Sequence, residues 1–541
     1  MGEENVLVGE EYERTIFTSL GNMAKLLLEA HGDKVLQVDA DTNEEQTAAQ
    51  VLSRAASLTR WLRTQKLITP GDVITVASEN RLEYGALVIA TFFSGCTFAP
   101  LNPEYTPNEI VHVVNLSKPK VIFCTDMTID NLAKTIDKFP FVRAVVNLDK
   151  KKPNLKGVKV HYLRDLINDN EDISEFEVAE IDPDDAVATI LCSSGTTGLP
   201  KGVMATHANI TNFMEIGRLV VGDLLDENVH RVLLGLTPFF HSLGFMYMFC
   251  NLLAGNLVIV VKKFKPKIFL EAIQRYRVTN LVVPPPIALF IVKNRNKQYD
   301  LSSLKDVRTG AAPMSKDMEI AVKEKLGLHH TSQAYGMTET TLGVIISRTG
   351  KSRVGSVGQL VPGMMAKVID EDGKALGPYK EGEVCFKGPL IMKGYIGNEE
   401  ATRNTIDKDG WIHTGDVAYY DNDGYFFIVD RIKELVKYKA FQVAPAELEG
   451  ILLNHEAVID AAVTGLPDEE AGELPLAFVV KRPESNVTEK ELEQFVAGQV
   501  SRQKLLRGGV YFVDEIPKNP TGKILRRVLR QKAVQLKKSK L

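Results

Sequence analysis

The strongest chemical signal in the chain is the decapeptide Ser-Ser-Gly-Thr-Thr-Gly-Leu-Pro-Lys-Gly at residues 193–202. Gly195 and Gly198 allow a tight turn whose amide N–H groups can converge on an anion. The hydroxyls of Ser193, Ser194, Thr196 and Thr197 add donors, and Lys201 supplies a cation for terminal phosphates. The ordinary P-loop is excluded, because that pattern has Gly before the lysine and Ser or Thr after it. Pro200 and Gly202 stand there instead. Unplaced, such a run reads as a polar surface loop. The apolar segment 185–192 in front of it, expected to be a buried strand, and the lysine at its end point to phosphate binding.

Four more motifs follow in order: Tyr335-Gly336-Met337-Thr338-Glu339, Thr414-Gly415-Asp416, Asp430-Arg431-Ile432-Lys433 and Pro520-Thr521-Gly522-Lys523. With the decapeptide, they resemble the motifs of the adenylate-forming superfamily: acyl-CoA synthetases, coumarate-CoA ligases, peptide-synthetase adenylation domains and beetle luciferases. The resemblance covers nearly the whole chain. It implies a substrate carboxylate attacking the α-phosphorus of Mg²⁺-bound ATP, an acyl-AMP intermediate, and capture of the acyl group by a thiol, expected to be coenzyme A.

The resemblance also assigns roles. Glu339, following Thr338, is the magnesium-associated glutamate, a hard oxygen ligand. Asp416 holds the ribose hydroxyls, with Arg431 assisting. Tyr335, Ala312 and Pro313 form the adenine slot. Lys523 swings in from a small domain to the α-phosphate and carboxylate, as electrostatic catalysis requires. His241 lies beside the acyl carboxylate, Lys433 is the hinge, and Lys437 is presented in a second conformation. Taken alone, His241 reads as a core histidine, Asp416 as a turn residue and Lys437 as one more charge in the run 431–439.

Within the superfamily the chain is most similar to beetle luciferases and insect luciferase-like acyl-CoA synthetases, through 438–449 and the Ser539-Lys540-Leu541 ending. Leu342, Phe240 and Phe213 replace polar groups expected in luciferases. Each change costs a luciferin-like ligand hydrogen bonds, about 1–3 kcal/mol per buried unpaired group. A fatty acyl tail loses nothing there and gains about 0.8 kcal/mol per buried methylene. Thr309, Gly310 and Ala311 are expected to border that acyl slot. Ala440, where the family has glycine, puts thioester formation in doubt. The expected activity is therefore fatty acyl-CoA synthesis from a medium- or long-chain acid. A luciferin monooxygenase, a coumarate-like ligase and an inactive nucleotide-binding scaffold are the alternatives.

The elements that must position these residues alternate β and α through the first 340 residues, implying parallel sheets. The expected fold is α/β multidomain. Residues 1–430 form a large AMP-binding domain of two βαβ-type lobes with a β-rich subdomain at about 345–430. Residues 431–437 are a hinge, and 438–541 form a small mobile α+β domain. A helix over 315–327 with Ser315 as N-cap, and another opening with the Thr488/Glu491 capping box, are the sharpest local expectations.

Length and composition fit this frame. A chain of 541 residues exceeds a single core. A net charge of −4 gives no reason to expect nucleic acid. Five scattered cysteines argue against a disulfide framework or zinc site. Neither a secretory signal nor a membrane span is expected. The Ser-Lys-Leu ending reads as a peroxisomal address for the import receptor.

Overall fold

A computed structural model describes residues 4–14, 19–153, 155, 157–193, 200–221, 231–293, 298–310, 312, 314–328, 331–348, 350–439, 441–520 and 522–539. It is an α/β architecture with a large N-terminal part and a smaller C-terminal α+β unit. Among the described residues, fourteen strands form one sheet that changes character along its length. Val35–Asp39, Leu257–Val260, Val232–Gly235, Asn280–Val283, Asp306–Thr309 and Ser332–Met337 run parallel. From Ser332–Met337 onward the neighbours are antiparallel: Leu342–Ile346, Gly358–Leu360, Tyr425–Arg431 and Ile412–Tyr420. The β-rich segment expected after residue 345 thus continues the parallel sheet rather than standing apart from it.

A second sheet of eight strands carries the parallel series Thr97–Phe98, Val73–Ala77, Val121–Cys124, Ala144–Asn147 and Lys159–Tyr162. It also carries the antiparallel pair Val187–Ser193 and Lys201–Thr206, whose connection is the decapeptide. Its residues Ser194 to Gly198 lie outside the described residues. The largest core joins both sheets through the Leu20–His31, Ala48–Thr64, Glu83–Phe93 and Ser242–Leu253 helices. Glu83–Phe93 is buried nearly all round, so hydrophobic periodicity could not fix its orientation.

Capping explains several boundaries. Ser315 accepts from the Met318 amide and opens the Lys316–Leu326 helix, which Gly327 closes at φ +63°. Thr488 and Glu491 form the reciprocal capping box of Glu489–Ala497.

The C-terminal unit is a sheet of Phe441–Val443, Val436–Tyr438, Gly472–Lys481, Val458–Asp468 and Gly509–Phe512, covered by the Pro445–Asn454, Glu489–Ala497 and Arg526–Ser539 helices. It docks on the large part by few polar contacts. Asn454 donates to Asp317 at 2.6 Å, the Lys293 ammonium donates to the Val458 carbonyl, and the Ala446 amide donates to Asp430 at 2.9 Å. No described helix is long and apolar enough to cross a membrane, and all five cysteines are free.

Candidate active site

Where the parallel half of the large sheet meets the antiparallel half, a cavity of about 590 Å³ opens, walled by both sheets and by the C-terminal unit. The Ser332–Met337 strand is the junction, and it runs straight into the Thr338–Thr340 turn. Gly336 is obligatory at that junction, since a Cβ there would fall 1.6 Å from the Leu342 carbonyl oxygen. Leu342 itself has φ +81°, a strained value for leucine, and its side chain lines the cavity.

One wall carries a carboxylate–guanidinium pair. The hairpin register sets Asp416 opposite Arg431. The Arg431 Nε lies 3.3 Å from Asp416 Oδ1, and the Tyr335 hydroxyl donates to Oδ2 at 2.6 Å. Burial pushes the Asp416 carboxyl up, against the pull of Arg431 and the Tyr335 hydroxyl. Asp416 sits in the Ile412–Tyr420 strand, where the register with Gly382–Lys387 is irregular and Gly415 takes φ +69°. The Gly415 amide donates to Glu383 Oε1 at 2.8 Å, and Glu383 Oε2 is 3.0 Å from His413 Nδ1. Cys385 completes this cluster 3.6 Å from His413, but burial raises its thiol far out of the thiolate range, so the group reads as a brace for that irregular stretch of strand.

On the opposite side, Glu339 is 6 % exposed and accepts from the Tyr395 hydroxyl at 2.9 Å. The Lys201 ammonium lies 4.6 Å from the centre of the same tyrosine ring. Tyr395 therefore joins the lysine of the glycine-rich decapeptide to the carboxylate of the Thr-Glu motif. A buried carboxylate with one oxygen tethered is a suitable hard ligand for a magnesium ion that draws its other ligands from phosphates and water.

Lys523 enters from the C-terminal unit. Its turn is held by the Lys523 amide donating to Asn519 Oδ1 at 2.9 Å and by the Asn519 amide donating to the Lys523 carbonyl at 2.9 Å. Burial pulls the ammonium down to about 8, with Arg431 adding to the shift and Asp416, Glu434 and Glu339 opposing it. His241 lies near enough for Lys523 to act on it. Burial, with the Lys523 charge, takes the imidazole down to about 4, so it is neutral at physiological pH. It caps the Ser242–Leu253 helix, accepting weakly from the Leu243 amide at 3.4 Å. Ser242 and Thr338 hydroxyls meet at 3.3 Å beside it.

A buried carboxylate–guanidinium pair, a lysine delivered by a separate unit and a glycine-rich segment after a buried strand coincide with what comparison finds. The model for the AMP-binding enzyme family matches residues 27–396, and that for the AMP-binding enzyme C-terminal domain matches 447–523. The chain belongs to the AMP-binding enzyme family. It is 40 % identical over 542 residues to luciferin 4-monooxygenase of Photuris pensylvanica, covering 98 % of both chains. It is 36 % identical over 521 residues to the peroxisomal OPC-8:0-CoA ligase 1 of Arabidopsis thaliana, covering 93 % of this chain and 91 % of that one. Among solved structures, ATP-bound MatB from Rhodopseudomonas palustris superposes with TM-score 0.83 at 27 % identity, over 95 % of this chain and 99 % of that one. The relatives of this AMP-binding enzyme are adenylate-forming ligases and luciferases.

Of the residues singled out from sequence, the cavity brings together Ser193, Lys201, His241, Thr338, Glu339 and Tyr335 with Asp416, Arg431, Lys433 and Lys523. Phe213, Thr309, Gly310 and Leu342 line it as well. Ala312 borders an adjoining cleft that shares Tyr335, Asp416, Arg431 and Lys523. Phe240 is not among the lining residues, and Lys437 is exposed on the Val436–Tyr438 strand, away from the cavity. Ala311, Pro313 and Ala440 lie outside the described residues, as do Thr521, Lys540 and Leu541. Sequence reasoning missed Tyr395, Glu383 and His413. His413 adjoins the Thr-Gly-Asp motif, which was its one available signal. Tyr395 had none, because its partners are 194 and 56 residues away in the chain.

Proposed function

We propose that this AMP-binding enzyme is an ATP-dependent acid–thiol ligase that activates a medium- or long-chain fatty acid and passes the acyl group to coenzyme A. The observation that carries the reading is Lys523 of the C-terminal unit reaching the cavity that Lys201, Glu339 and Asp416 wall. Lys201 and the loop hydroxyls bind the terminal phosphates, and Asp416 with Arg431 orients the ribose. Glu339 would hold the magnesium ion, which neutralises phosphate charge when bound. A carboxylate oxygen of the acid bonds to the α-phosphorus and the bond to pyrophosphate breaks, its electron pair leaving with that group. Lys523 faces the charge that gathers on the phosphorus centre. His241, kept neutral, takes no charge from the attacking carboxylate and leaves it nucleophilic.

In the second half, the small domain turns about Lys433 and brings Lys437 in place of Lys523. The coenzyme A sulfur bonds to the acyl carbon, the bond to the AMP oxygen breaks, and the thiol proton goes to solvent. The exposure of Lys437 here supports that exchange of lysines. The Ser-Lys-Leu ending and the peroxisomal name of the Arabidopsis relative support a peroxisomal location.

The test is pyrophosphate release from Mg·ATP with fatty acids, followed by coenzyme A-dependent AMP release. No acid-dependent pyrophosphate release would sink the reading. The likeness to a luciferin 4-monooxygenase favours one alternative, luciferin oxidation. It predicts oxygen-dependent light with luciferin and ATP, and more of it from Leu342→Ser; darkness from both proteins removes it.

A further inference from the structure

The acyl side of the cavity does not end in hydrocarbon. Its wall is one face of the parallel sheet, read at period two: Leu233, Asn280, Val282, Asp306 and Arg308. The register aligns Leu233 with Asn280, Asn280 with Asp306, and Val282 with Arg308. Against that face lies the Ser242–Leu253 helix, presenting Leu243, Met246, Tyr247 and Cys250 at helical spacing. Around Leu342 the lining is apolar, with Phe213, Met246 and Ile346. At the other end, toward the first residues of the strands, it becomes polar, with Arg231, Asn280, Asp306 and Tyr247. Thr309 and Asp306 are the two ends of one strand, about 10 Å apart at 3.3 Å per residue. The polar end thus lies about one strand length from the end at which Thr309 and Gly310 line the cavity.

The polar groups there are arranged for a ligand. Asp306 Oδ1 is buried and has no hydrogen-bond partner among the described residues. Asn280 Oδ1 accepts from the Thr279 hydroxyl at 2.8 Å, which leaves its amide N–H groups as donors. Burial raises the Tyr247 hydroxyl, with Asp306 adding to the effect and Arg308 and Arg231 opposing it, and its hydrogen bond to the Asn280 carbonyl is long at 3.4 Å. Arg308 donates to Ser332 Oγ at 2.9 Å, which anchors its guanidinium beside Asp306. A methyl terminus docked here would strand a buried carboxylate oxygen and amide donors without partners. A hydroxyl satisfies both, donating to Asp306 and accepting from Asn280.

We infer that the far end of the acyl cavity, built from Asp306, Asn280 and Tyr247, is a subsite for a hydroxyl group at the end of the acid remote from its carboxylate. This deepens the proposed ligase function and rests on it. The substrate class is then a hydroxylated acid whose middle is hydrocarbon, matching Val282, Met246 and Leu342, and whose tip is polar. Sites that hydrogen-bond a substrate hydroxyl reject the analogue lacking it by large factors, because their own polar groups go unpaired.

The experiment compares straight-chain acids with their ω-hydroxy counterparts of equal length, on the full chain with Mg·ATP, reading pyrophosphate release as kcat/KM. The expected result is at least a tenfold preference for the hydroxy acid at the best length. Asp306→Asn removes the acceptor charge while keeping shape, and Asp306→Leu removes the polarity. The preference should fall about tenfold in the first and reverse in the second, with circular dichroism and Tm confirming that each variant folds. A wild-type enzyme that uses the unsubstituted acid equally well or better overturns the subsite and leaves the ligase intact. A preference unchanged in both folded variants also overturns it. No pyrophosphate from either acid series defeats the ligase reading itself.

Discussion

The Tyr395 hydroxyl donates to Glu339 at 2.9 Å while its ring takes the Lys201 ammonium 4.6 Å from its centre. One side chain thereby fixes both the lysine proposed to meet the phosphates and the carboxylate proposed to hold the metal. Tyr395→Phe keeps the ring and drops the tether. The KM for Mg·ATP should rise several-fold, and a titration of activity with Mg²⁺ should shift to higher concentration, with fatty-acid KM little changed. Tyr395→Ala loses the cation–π contact as well, worth about 0.5–2 kcal/mol, and should be the worse of the two. Equal ATP kinetics in wild type and Tyr395→Phe would show that Glu339 needs no tether.

Lys523 should govern the alkaline limb of adenylation. With the ammonium down to about 8, its charge is present at pH 7 and lost as pH rises through that value. The kcat/KM profile for pyrophosphate release, which reports the free enzyme, should fall above about pH 8. Lys523→Ala should lower that release by about 100-fold, the scale of losing one placed electrostatic group, and should flatten the limb. Nucleotide binding by calorimetry should persist. A near-normal rate from the variant would remove Lys523 from the chemistry.

Asp430 ties the two units and responds to pH in an unintuitive direction. It is 5 % exposed, accepts from the Ala446 amide at the start of the Pro445–Asn454 helix, and burial raises it to about 6. The docked arrangement thus binds a proton more tightly than a solvated carboxyl does. Its contribution to docking is full below about pH 4 and is lost as pH rises through about 6. Asp430→Asn, neutral at every pH and still able to accept from Ala446, should hold the docked arrangement more firmly. Pyrophosphate release should survive while coenzyme A-dependent AMP release slows, and fluorescence transfer across the hinge should lose its pH dependence near 6. An unchanged pH response would place the switch elsewhere.

Leu342 separates strain from packing. Leucine at φ +81° costs on the order of 1–2 kcal/mol, which Leu342→Gly recovers while giving up a half-buried side chain. Thermal stability should therefore change by less than about 1 kcal/mol, because the two effects oppose one another. The KM for the fatty acid should rise roughly tenfold, since the lost carbons leave the cavity wall at about 0.8 kcal/mol each. A large fall in Tm with an unaltered KM would assign Leu342 to the core instead.

That Lys201, Tyr335, Glu339, Asp416, Arg431 and Lys523 would gather was legible in the sequence because they sit in short contiguous motifs, where a glycine, a carboxylate and a lysine declare themselves together. The strands were legible for the same reason, as apolar runs between polar turns, and Ser315 and Thr488 marked helix starts by side-chain chemistry alone. The Ser242–Leu253 helix was not, since it is apolar on nearly every face and has no period to read. Tyr395, Glu383 and Asp306 escaped for a different reason. Each gains its meaning from a partner or a cavity that only the folded sheet supplies. Phe240 shows the converse: it neighbours His241 in sequence, yet the turn before the helix directs that histidine, and not the phenylalanine, to the cavity wall.

The change of strand direction at Ser332–Met337 also bears on how such an enzyme can diverge. Asp416 and Arg431 belong to the antiparallel half, whereas Asn280, Asp306 and Arg308 belong to the parallel half, and only the junction strand touches both. Most substitutions on one half can accumulate with little disturbance of the sheet hydrogen bonds in the other. A lineage can therefore keep one half of the cavity wall intact while the other changes one strand face at a time.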